Sequence, residues 1–161
     1  SNCFTISIRD RWWSCNEPRT DMRIRTKILI VDDSPDFQSL AKAFLSEESY
    51  LVLSAGDTLQ ATGSALREKP SLIVVDIGLP GGDGWMLLDR LKANAFTKHI
   101  PVLVVTGQAK IGLEEKSKAK GAAGFLSKPF QKDTFVNAIN AVLTTPTQSP
   151  APPTATPHTP A

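Results

Sequence analysis

Five short apolar runs punctuate the chain, at 28–31, 51–53, 72–75, 102–105 and 124–126, and a helical pattern comes after each. Four of the five are nearly continuous and rich in Val and Ile, without polar alternation. A strand that alternates buries one face, whereas a strand that is apolar throughout must be covered on both. Between the runs, Ser34 before Pro35 sets a capped helix start, and Phe37, Leu40, Ala41, Phe44 and Leu45 make one face. Residues 58–67, 84–94, 113–120 and 134–143 complete the series. Strands alternating with helices predict an α/β domain: a doubly wound five-stranded parallel sheet, (βα)5, with right-handed crossovers.

The ends are compositionally unlike this middle. Six of the 12 prolines fall within 146–161, where no periodic apolar face can be drawn. That stretch is expected to be a disordered Pro/Thr-rich tail or linker. Residues 1–21 hold Cys3, Cys15, Trp12 and Trp13 but no helical stripe. They read as an upstream extension of uncertain origin, or as an arm whose tryptophans dock on something. The expected folded domain is therefore 22–145.

Composition excludes several chemistries. With 18 Lys and Arg against 16 Asp and Glu, the net charge of +2 is too balanced for an electrostatic nucleic-acid binder. The middle has no cysteine and one histidine, His99, which disfavours a zinc site, a thiol nucleophile or a disulfide scaffold. The apolar runs stop at four or five residues, where a membrane span needs about 20. No apolar signal region lies near the start, so the expected compartment is the cytoplasm, with Cys3 and Cys15 as reduced thiols rather than a disulfide.

The residues just past each strand carry the chemistry. The first run ends in Asp32-Asp33, the third in Asp76, the fourth in Thr106 and the fifth in Ser127-Lys128. In a parallel sheet all strand C-termini lie along one edge, where ligands bind. Three carboxylates, a hydroxyl and an ammonium should converge there. Carboxylates packed together resist ionising unless a cation joins them. An oxygen-only set selects a hard metal, Mg²⁺ before Ca²⁺, and a carboxylate beside it can attack phosphorus.

The segments VDDSPDF, VVDIGLPGGDGW, VVTGQ and GFLSKPF, in this order and spacing, resemble the receiver domain of two-component response regulators. The resemblance implies a flavodoxin-like sheet in strand order 2-1-3-4-5, acting as a regulatory phosphoacceptor rather than an enzyme. It implies Asp76 as the phosphoacceptor, with Mg²⁺ held by Asp33, by Asp32 partly through water, by Asp76 and by the carbonyl of Gly78. Thr106 would bond one phosphoryl oxygen and Lys128 another. Phe125 falls at the switch aromatic and Lys128-Pro129 at a cis peptide. The implied partners are a sensor histidine kinase or a phosphotransfer protein, and a downstream protein on the face of the fourth helix, fifth strand and fifth helix. Neither nucleic acid nor membrane is implied.

Two departures from the family pattern stand out. The loop after Asp76 carries Gly78 and Gly82 where larger residues are usual, which should loosen it. Gln108, two residues after Thr106, occupies a position that tunes hydrolysis. Taken singly, Asp33 or Ser34 is a helix cap, Thr106 a β-former, Lys128 a surface lysine, and Phe125 and Trp85 plain packing. The lysines around the fourth helix read as a solvated face, and His99 as exposed. Two other functions compete: an unphosphorylated binding module, and an aspartyl-nucleophile hydrolase. The hydrolase would need a second acid two after the nucleophile, where this chain has Gly78.

Overall fold

The computed structural model describes residues 25–79, 83–108 and 110–144. The expected extension at 1–21 and tail at 146–161, and Gly82 of the loop, lie outside the described residues. The elements alternate as expected: β1 (Lys27–Val31), α1 (Pro35–Ser46), β2 (Leu51–Ala55), α2 (Thr58–Glu68), β3 (Leu72–Asp76), α3 (Asp83–Ala93), β4 (Val102–Thr106), α4 (Leu113–Ala119), β5 (Gly124–Ser127) and α5 (Lys132–Thr144). All pairings are parallel, in the order β2-β1-β3-β4-β5. The sequence-derived fold class and strand order are both met.

The apolar strands are covered on both faces because their side chains alternate between two cores. Leu29, Val31, Ile73, Val75, Val102 and Val104 pack with Leu87, Leu88 and Leu91 of α3. Ile28, Ile30, Leu72, Val74, Leu103 and Val105 pack instead with Ala41 and Leu45 of α1 and Phe135 and Ile139 of α5. One side chain in two along each strand thus belongs to the α1/α5 layer, and the other to the layer of α2, α3 and α4.

Local signals set the helix ends. The Ser34 hydroxyl accepts from the Phe37 amide with Pro35 in the first turn, and Asp57 Oδ1 accepts from the Gln60 amide at 2.7 Å. Seven-residue α4 follows Gly112 at its N-cap, whose φ is 86° and which gives no side-chain cap. It is held to α3 by Lys116 Nζ, 4.5 Å from the Trp85 ring centre, and by Lys120, which bonds both oxygens of Asp89. The expected solvated lysine face is therefore partly a clasp. Gly124 lets β5 approach α5: a Cβ there would stand 2.9 Å from Leu103 and 3.0 Å from Val142. Among the described residues no helix is long and apolar enough to cross a membrane.

Candidate functional site

Register assembles the site. Val31 pairs with Val75, Asp76 with Val105, and Thr106 with Ser127, so each strand's end steps onto the same edge. Asp32, Asp76 and Lys128 all share the alternation of the α1/α5 layer. Their side chains meet: Lys128 Nζ donates to Asp32 Oδ2 at 2.9 Å and to Asp76 Oδ2 at 2.8 Å. The second oxygens are also engaged, Asp32 Oδ1 by the Ser34 amide at 2.8 Å and Asp76 Oδ1 by the Gly78 amide at 2.7 Å. The Lys128-Pro129 peptide is cis, as the resemblance implied.

Burial separates the carboxylates. Asp32 is 1% exposed, the Asp76 side chain 12%, and Asp33 is exposed to solvent. Burial pushes the Asp32 carboxyl above its usual range, against the opposing pull of the Ser34 amide and Lys128. Burial alone would lower the Lys128 ammonium. Its hydrogen bonds to Asp76 and Asp32 outweigh that and raise it, so it stays charged between them.

Thr106 and Phe125 belong to the other layer. Thr106 is fully buried, and its Oγ1 accepts from the Gln108 amide at 3.0 Å. Phe125 packs, half-buried, against the core shared by α3 and Trp85. The backbone joins the two layers: the Lys128 amide donates to the Thr106 carbonyl at 2.7 Å. His99 is exposed, as expected.

The sequence reading missed three contributors. Gln38 Nε2 donates to the carbonyls of Asp32, at 2.6 Å, and Ala55, pinning the ends of β1 and β2 together. Phe37 lies under Lys128, with its ring centre 3.9 Å from Nζ. Gly84 has no room for a side chain against the backbone of Asp76 and Ile77. Only for Phe37 was there a signal, an aromatic in the first turn of a helix leaving the site.

The acidic side chains at this edge, Asp32, Asp33 and Asp76, are hard oxygen donors of the kind that suits a hard cation. Among the described residues, no three acidic or imidazole groups close around one metal position. Lys128 already joins Asp32 to Asp76, and Asp33 faces water. A cation binding here would keep several waters, as Mg²⁺ does.

A family model described as the response regulator receiver domain matches residues 28–140. The chain belongs to the response regulator receiver family. It is 36% identical over 117 residues to Protein PilH of Pseudomonas aeruginosa, covering 73% of this chain and 97% of that protein. It is 32% identical over 117 residues to sporulation initiation phosphotransferase F of Bacillus subtilis, covering 73% and 93%. Among solved structures, the chemotaxis response regulator CheY4 of Vibrio cholerae superposes with a TM-score of 0.68 at 27% identity, over 73% of this chain and 98% of that one. The chain is thus a receiver domain of the two-component response regulator type. Receiver domains are regulatory phosphoacceptors, phosphorylated by histidine kinases or phosphotransfer proteins, and they generally bind Mg²⁺ at the phosphorylation site.

Proposed function

We propose that Asp76 is the residue phosphorylated, and that the phosphoryl group switches a protein-binding surface. The supporting observation is Asp76 at the end of β3, near the surface, with the Lys128 ammonium 2.8 Å from its Oδ2. A carboxylate oxygen of Asp76 attacks phosphorus; the new P–O bond forms as the bond to the donor breaks. The donor is a phosphohistidine of a sensor kinase or phosphotransfer protein, whose imidazole nitrogen leaves with the electron pair of the broken P–N bond and takes up a proton. Catalysis here is positioning and charge neutralisation. Mg²⁺ would be held directly by Asp33, Asp76 and the Gly78 carbonyl, with Asp32 partly through water, and would neutralise phosphoryl oxygens. Lys128 would move to one phosphoryl oxygen, and the Thr106 hydroxyl would donate to another.

A phosphoryl group brings about two negative charges and three acceptor oxygens to the edge. Thr106 shares its layer with Phe125 and α4, so its displacement toward the phosphoryl group frees space for Phe125 to turn inward. Partners would discriminate on the face of α4, β5 and α5. This reading puts the chain in the cytoplasm, working as a regulator through protein contacts without touching nucleic acid or membrane.

Incubation with acetyl phosphate and Mg²⁺, followed by intact-mass and peptide analysis, tests it. One base-labile phosphoryl group on Asp76, absent from Asp76→Asn, is expected. Label persisting in Asp76→Asn at Asp32 or Asp33, or no label in the wild type, would overturn the assignment.

A further inference from the structure

We infer that Phe37 is a positioning residue for Lys128: its ring face fixes where the ammonium stands, and so how well the site holds a phosphoryl group on Asp76. The inference rests on the phosphoacceptor reading for its consequence, but the contact itself does not depend on it.

The ammonium of Lys128 has three protons and three neighbours. Two are the carboxylate oxygens of Asp32 and Asp76; the third is the Phe37 ring, with its centre 3.9 Å away. The π face carries the negative lobe of the ring quadrupole and attracts a cation, the more so where water is scarce. The Lys128 side chain is only 25% exposed. Lysine reaches the site on a flexible four-carbon stem, so nothing in its own geometry defines where the charge stops. The ring does.

That ring is itself held. Phe37 meets Phe130 edge-on at 6.0 Å and 82°, and Phe135 at 6.3 Å and 73°. Phe130 and Phe135 stack at 5.2 Å and 10°, and Phe44 of α1 leans on Phe135. Phe135 is wholly buried on α5, and Phe130 lies two residues beyond Lys128. The ammonium is therefore registered against an aromatic wall shared by α1 and α5, on the opposite side of the sheet from Phe125.

The choice of an aromatic has a mechanical consequence. To bond a phosphoryl oxygen, Lys128 must exchange its contact with Asp76 Oδ2. A hydrogen-bonding neighbour would resist that move, because such bonds weaken steeply with angle. Attraction to a ring face is broad in direction, so the ammonium can turn toward phosphorus without losing its third partner. An aliphatic side chain of similar bulk would exclude water equally but supply none of this attraction.

The test replaces Phe37 with mono-, tri- and pentafluorophenylalanine, which keep shape and apolarity while draining the ring face, alongside Phe37→Leu and Phe37→Trp. Two readouts are taken, with melting curves to confirm each variant folds. In the metal-free protein, the ring should shift the Lys128 Hε resonances upfield, and Lys128 Cε order parameters should fall along the fluorine series. With Mg²⁺ and beryllofluoride as phosphoryl mimic, affinity should fall stepwise by about 3- to 10-fold in all, recover in Phe37→Trp, and match pentafluorophenylalanine in Phe37→Leu. A flat series in order and affinity, or no upfield shift in the wild type, overturns the positioning role. The shift in the wild type and graded order along the fluorine series, with no beryllofluoride binding and no phosphoryl transfer to the wild type, defeats the phosphoacceptor reading and supports the role of Phe37.

Discussion

A Cβ placed on Gly84 would stand 2.7 Å from the backbone oxygen of Asp76 and 2.5 Å from the Cα of Ile77. The start of α3 is therefore pressed onto the peptide of Asp76, the proposed acceptor, closer than any side chain permits. Gly84→Ala should destabilise the fold by about 1–3 kcal/mol in urea denaturation, through overpacking. It should also slow phosphorylation in the folded fraction, because the strain falls on Asp76. Gly63, inside α2, has nothing within 4 Å of where a Cβ would stand. Gly63→Ala should instead stabilise, by about 0.5–1 kcal/mol. Equal effects of the two substitutions would show that close approach is not what Gly84 provides.

Adjacent acids should part company on substitution. Asp33 is exposed, so Asp33→Ala should change stability by no more than about 0.5 kcal/mol. Its Mg²⁺ affinity should nevertheless fall several-fold, read from the fluorescence of Trp85 one residue past Gly84. Unchanged magnesium binding would remove Asp33 from the ligand set.

Thr106 is the hydroxyl of the α3/α4 layer, fully buried and bonded locally, to the Gln108 amide. Thr106→Ala should still accept a phosphoryl group but lose the shifts that beryllofluoride induces at Phe125 and in α4. Thr106→Ser should retain them. Amide spectra recorded with and without the mimic decide the matter; distant shifts persisting in Thr106→Ala would mean that the signal leaves by another route.

Tyr50 is the single tyrosine of the chain, and its hydroxyl donates to Asn140 Oδ1 on α5. Burial, with a smaller push from Glu48, raises the phenol above its ordinary value of 10.0. A folded-state value above the unfolded one means stability that is complete below pH 10.0 and lost as pH climbs through the raised value. Tyr50→Phe should thus cost about 0.5–1.5 kcal/mol at neutral pH, and the difference from wild type should vanish in strong alkali. Absorbance of the lone phenolate gives the titration directly. A midpoint at or below the ordinary value would contradict this.

Much of the fold was legible because strands covered on both faces cannot hide in a sequence. The runs at 28–31, 72–75 and 102–105 announced a parallel sheet, and parallel strands put their C-termini on one edge. That placed Asp32, Asp76 and Lys128 within reach of one another, with Thr106 on the same edge. The difference between Asp32 and Asp33 was less visible, though alternation from Ile28 and Ile30 carries Asp32 inward and turns its neighbour out. The same alternation splits the edge, sending Lys128 toward α1 and Thr106 toward α4. Gly84 was illegible for a different reason. It shares one short stretch with Gly78, Gly81 and Gly82, and nothing local marks which of them faces a backbone. Gln38 was hidden too, since a polar residue in a first turn usually faces water.

Each member of the edge comes from a different strand end: Asp32 after β1, Asp76 on β3, Thr106 on β4 and Lys128 after β5. Asp32 and Lys128 stand 96 residues apart in the chain, so no contiguous fragment shorter than 32–128 holds all of it, and a nascent chain lacks its lysine until the last strand has been made. On the reading proposed above, chains that stop before Lys128 and chains slipped by one residue would be blind to a kinase. The proposed capacity to be phosphorylated is thereby a certificate of a finished sheet, issued by the same register that builds it.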